Sequence, residues 1–168
     1  MIRWLIKYFL MFVFLVLIQI LILNQIEFRG FINPYMYILF VMLLPVSTPK
    51  YLVMLSGFFL GLVIDIFSNT QGLHTAATVF IAYFRPFVIR AISGREDEMS
   101  DYPGLKQNKF SWFLYYAALM VFLHHFFLFY LEAFTFSHFF TTLFRVVLSS
   151  LFSIFVIVLS QFLIFREL

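Results

Sequence analysis

Gly57, Gly61 and Asp65 follow one another at intervals of four residues, so on a helix they lie on one stripe. A GxxxG step admits a neighbouring backbone, and a carboxylate one turn further on needs donors or a cation if it sits inside an apolar bundle. The stripe is expected to face protein, with buried packing preferred over a substrate site. Arg145 is the candidate counter-charge. It lies near the outer end of the last apolar segment and Asp65 near the outer end of its own, so an intramembrane Asp65–Arg145 pair would remove the cost of either charge in lipid. The competing role for Arg145 is to extend its long stem to the outer headgroups. Thr141, Arg145, Ser149 and Ser153 also step by four and line up a polar, small-residue face. That pattern reads as a helix–helix seam, internal in preference to one shared with another protein.

Other residue types narrow the chemistry. His124 and His125 are adjacent, so their side chains diverge on a helix. His74 and His138 have no Asp, Glu or His at ligand spacing on their own helices, and no metal is predicted. The sequence holds no Cys, which removes thiol nucleophiles, disulfides and iron–sulfur clusters together. A nucleophile elbow, a Walker loop, HExxH and paired carboxylates are all missing, so the chain is read as a non-enzyme without a cofactor. The mixed-charge run from Gly94-Arg95-Glu96-Asp97-Glu98 to Asp101 is read as a solvated turn, with docking of a cytosolic partner as the sharper alternative.

The elements that must position these residues follow from composition. Of 168 residues, 64% are hydrophobic, 23% aromatic and 11% charged, against roughly 25% charged in a soluble domain. Too little polar surface remains to face water, so the expected class is an all-α integral membrane protein of one domain. The excess of basic residues then labels topology and does not point to nucleic acid. Apolar segments cover about 4–23, 35–46, 51–67, 72–92, 110–131 and 139–165, with 93–109 as the hydrophilic loop. Two of the six are short or broken. Residues 35–67 could make two short tilted spans around a Pro45–Lys50 turn or a re-entrant hairpin, and either returns the chain to its starting side. Asn33-Pro34 opens this region as a helix start. Arg85, beside Pro86, is expected to snorkel to a headgroup surface. With the N-terminus in the cytosol, Arg3, Lys7, Lys50, Arg85, Arg90, Arg95, Lys106, Lys109 and Arg166 fall inside and Arg29 outside, which favours cytosolic N- and C-termini.

The stretch Leu55 to His74, LSGFFLGLVIDIFSNTQGLH, resembles the rod shape-determining protein MreD family. The likeness rests on G-x-x-x-G-L-x-x-D, a short polar turn, G-L-H and an Ala-containing helix, preceded by an apolar segment opened by Pro34 and closed by Leu44-Pro45. Pro34, Gly57, Gly61, Asp65, Gly72 and His74 are the matching positions. Outside residues 34–86 the similarity is one of composition. The resemblance implies a multi-pass protein of the bacterial inner membrane. It would act as a scaffold of the cell-wall elongation machinery, bound to the transmembrane helix of MreC and indirectly to MreB, RodA and a class B penicillin-binding protein. It also implies a fold similar to the membrane substrate-binding subunits of energy-coupling-factor transporters. That supplies the alternative reading, a vitamin-type small-molecule uptake subunit. An enzyme acting on lipid-linked wall precursor ranks last for want of a catalytic constellation.

Overall fold

Apolar runs of some twenty residues in lipid must satisfy every backbone N–H and C=O within the segment, and an α-helix does so. The computed structural model describes residues 2–26, 32–93, 100–135 and 138–163, with Trp4 by its backbone alone. In it, long helices α1 (Ile2–Leu21), α3 (Lys50–Ser68), α4 (Leu73–Ile92), α5 (Phe110–Ala133) and α6 (Phe139–Leu163) accompany one short helix, α2 (Leu39–Leu43). A 3-10 turn at Leu23–Gln25 extends the end of α1. Among the described residues five helices are long and apolar enough to cross a membrane, which makes this an all-α multi-pass bundle. Arg29, Gly94 to Glu98, and Arg166 lie outside the described residues.

Helices α3, α4, α5 and α6 pack each on the next, and α1 packs on α3 and α2. Their outward faces carry Phe58, Phe59, Phe140, Phe144 and Phe155, all exposed, as expected of surface that meets hydrocarbon. The inward faces enclose the segment from Pro34 to Met42, every residue of which is buried.

This region makes two passes around the Pro45–Lys50 turn and not a re-entrant hairpin, but the first pass is broken in place of the short tilted helix expected. A 12-residue helix rises only about 18 Å, too little for a core of about 30 Å. The chain instead runs irregularly from Asn33 to Ile38, forms the five-residue α2, and leaves the helix at Leu44 with ψ 144°. Non-helical residues advance further per residue than helical ones, about 3.3 Å against 1.5 Å when fully extended. The segment therefore passes from one end of the bundle to the other. Its start lies beside Gln19 and Ser149, and its end beside Arg85 and Asp101. Among the described residues the bundle thus has five helical spans and one broken one, where about six segments with two short or broken were expected.

Two turns fix the ends. Ser47 donates from its amide (2.8 Å) and hydroxyl (3.0 Å) to the Asp101 carboxylate, and the Val46 amide donates to the Asp101 carbonyl (2.7 Å). Asp101 therefore staples the loop before α5 to the turn before α3 and is not simply solvated. At the opposite end Asn24 donates to Ser68 Oγ (3.0 Å), tying the end of α1 to that of α3.

Candidate functional site

Irregular backbone at membrane depth is tolerated only where protein supplies its hydrogen bonds. Around Pro34–Pro45, side chains of four helices do so. From α1, Gln19 accepts from the Met36 amide (2.8 Å) and, at 3.4 Å, from that of Tyr37, while its own amide donates to the Pro34 carbonyl (3.0 Å) and to Asn24 Oδ1 (2.9 Å). From α6, Ser149 accepts from the Asn33 amide (3.1 Å) and Ser153 from that of Tyr35 (2.9 Å). From α4, Arg85 donates to the Leu44 carbonyl and, at 3.5 Å, to those of Met42 and Pro45. From α5, the Tyr116 hydroxyl donates to the Met42 carbonyl (3.1 Å) and accepts from Arg85 Nε (3.1 Å). Arg85 is 3% exposed, so the headgroup role expected for it is corrected. Three carbonyls at the end of α2, which lack helical donors, hold it inward instead.

A second layer joins side chains to one another. The Tyr37 hydroxyl lies 2.9 Å from His74 Nδ1 and 2.8 Å from His124 Nε2. His125 Nδ1 is 2.8 Å from the Val121 carbonyl, which can only accept, so Nδ1 carries the proton and Nε2 is free to accept from Ser153 Oγ (3.1 Å). The relay therefore runs from the Tyr35 amide to Ser153, to His125, to the Val121 carbonyl. Both His124 and His125 are fully buried and reach the broken segment through different partners. Among the described residues no set of three His, Asp or Glu side chains is placed to hold a metal ion.

The Gly57–Gly61–Asp65 stripe faces α4. A Cβ on Gly61 would stand 2.4 Å from Thr75 Cα and 2.7 Å from the His74 carbonyl oxygen, a distance real Cβ atoms do not adopt. At Gly57 the nearest atom would be the Thr78 carbonyl oxygen, at 3.2 Å. Asp65 accepts from the amides of His74 (3.0 Å) and Thr75 (2.8 Å) and from the hydroxyls of Thr70 (2.5 Å) and Thr75 (2.6 Å). The carboxylate thus caps the first turn of α4, where orphan amides and the positive end of the helix dipole favour an anion. Gly72 opens that turn in the left-handed region, at φ +83°, which costs a residue with a Cβ but not glycine.

The Asp65–Arg145 pair is not formed. Asp65 is held by those amides and hydroxyls, and Arg145 by Glu132 at 3.0 Å and the face of Phe129 at 4.2 Å. The Asn33 side chain, oriented with its oxygen toward the guanidinium, adds an acceptor at 3.0 Å. Within the expected seam Ser149 and Ser153 are buried, Arg145 is half-buried and Thr141 is exposed, so the seam shortens to two serines and serves the broken segment. A cavity of about 460 Å³ at this end is lined by Asn24, Thr70, His74, Glu132 and Arg145 among others.

Gln19, Tyr37, Arg85 and Tyr116 were not singled out as site residues by their spacing. Each is a polar group within an apolar run, and an irregular crossing needs such groups on its neighbours. No family model, curated protein or solved structure matches the chain.

Proposed function

We propose that this protein is a non-enzymatic scaffold of the machinery that elongates the bacterial cell wall. It acts in the inner membrane, bound to the transmembrane helix of MreC and through it to MreB, RodA and a class B penicillin-binding protein. One observation carries this reading. The residues of the stretch that resembles the MreD family, Gly57, Gly61, Asp65, Gly72 and His74, act in packing α3 on α4, in turning the chain between them or in hydrogen-bonding the core. Their chemistry is used to hold a shape. The exposed Phe rows on the outer helix faces give a single partner helix apolar surface to lie against. Basic side chains, namely Arg3, Lys7, Lys50, Lys106 and Lys109, gather at the end of the bundle where α1 begins, which supports cytosolic N- and C-termini.

Co-purification of the tagged chain in detergent with MreC from the same cell, against an unrelated multi-pass protein at matched expression, tests the reading. Specific recovery of MreC is the expected result. The polar cavity beside Arg145 favours a second reading, the membrane subunit of an energy-coupling-factor-like transporter. Absence of MreC with recovery of a nucleotide-binding ATPase pair would replace the first reading by the second.

A further inference from the structure

Helices α1 and α6 are not among the helix pairs in extensive contact, and an apolar groove of about 810 Å³ lies along α1 on the side where Gln161 of α6 appears. Ile6, Leu10, Val13, Phe14 and Leu17 form its α1 wall, a stripe at helical spacing. From Ile6 to Leu17 the helix rises about 16 Å, close to half of a hydrocarbon core of about 30 Å. The groove therefore reaches through one leaflet, a length that suits an acyl chain.

The mouth carries the complementary chemistry. Arg3 and Lys7 on α1 and Lys106 in the loop before α5 line it, and all three are exposed. Lys7 Nζ lies 6.0 Å from the Tyr102 ring, which places α1 against that loop. Gln161 is 2% exposed and lines the same groove. Its Oε1 accepts from the Leu105 amide (3.2 Å), while its Nε2 has no hydrogen-bond partner. Three exposed cations at the mouth of an apolar groove are matched by a phosphate whose acyl chain occupies the groove.

We propose that the α1–α6 groove is a binding site for an anionic phospholipid of the leaflet on the N-terminal side. One acyl chain lies along Ile6 to Leu17, and the phosphate sits among Arg3, Lys7 and Lys106.

The test uses the full-length protein in mild detergent, equilibrated with mixed micelles of phosphatidylglycerol and phosphatidylethanolamine, with retained lipid quantified by native mass spectrometry. Phosphatidylglycerol is expected to be retained about tenfold or more over phosphatidylethanolamine, and the triple change Arg3→Gln, Lys7→Gln, Lys106→Gln to bring that preference near unity. Because all three side chains are exposed, the variant should elute as the wild type does. Val13→Trp, which adds bulk within the groove, should lower retention of both lipids. Equal retention of the two lipids by the wild type would overturn the proposal, as would a full preference in the triple variant. A photo-reactive residue at position 13 that crosslinks in membranes to a polypeptide and not to lipid would overturn it in favour of a partner helix.

Discussion

The α3–α4 hairpin and the broken crossing at Pro34–Pro45 both place polar atoms inside an apolar bundle, but they satisfy them over different ranges. In the hairpin, Asp65 finds its four donors within ten residues of itself, and Gly61 meets a backbone fourteen residues on. In the crossing, the Tyr35 amide depends on a serine 118 residues away and the Leu44 carbonyl on an arginine 41 residues away. The hairpin carries its own instructions. The crossing is a shared product of four helices, so damage to any of them reaches it.

The sharpest way to break that contrast is Arg85→Leu, which removes the donor of the Leu44 carbonyl and one of two donors from those of Met42 and Pro45. A loss of about 3 to 4 kcal/mol is expected, with membrane abundance falling accordingly, since the unpaired Leu44 carbonyl costs about 1–3 kcal/mol and charge-assisted hydrogen bonds are lost at the other two. Normal abundance and melting temperature in this variant would mean that the crossing does not rely on α4. Next comes Gly61→Leu, which should force α3 from α4 and cost about 3 kcal/mol as overpacking. Reduced abundance marks packing, whereas full abundance with loss of MreC would make the stripe a partner interface. Asp65→Asn turns an amide donor toward the donors of the α4 cap and should lower thermal stability in detergent by about 2 kcal/mol. Ser153→Ala removes both the acceptor of the Tyr35 amide and the donor to His125 and should cost about 1.5 kcal/mol by the same assay. The smallest effect is expected from Glu132→Gln, about 0.5 kcal/mol, because Glu132 is 41% exposed and its pair with Arg145 is correspondingly screened.

What could be read from the sequence follows the same division. Four-residue spacing placed Gly57, Gly61 and Asp65 on one face, and the structure shows that face against α4. The five long helices were equally readable, because a long apolar run marks a span directly. Arg85 and Gln19 were not readable, since their partners are carbonyls and amides of a distant segment, and backbone groups leave no mark in a side-chain pattern. The Asp65–Arg145 pairing failed for a related reason. Similar depth in the membrane was the argument for it, yet Thr70, His74 and Thr75 supply closer donors from the next turn, and Glu132 lies nearer to Arg145. One clue to the crossing was present in the twelve-residue length of the apolar segment after Pro34. A segment too short to cross as a helix must leave helical geometry, and its neighbours must then carry polar side chains.

The position of Ser149 and Ser153 near the end of the chain bears on how the protein is made. Asn33 and Tyr35 emerge from the ribosome more than a hundred residues before the serines that accept their amides. Until α6 is inserted, those amides face lipid or the insertion channel unpaired, at several kcal/mol each. Completion of the last helix is therefore the event that closes the bundle, and a chain interrupted before α6 keeps an exposed polar strand in the membrane that quality-control proteases can recognise.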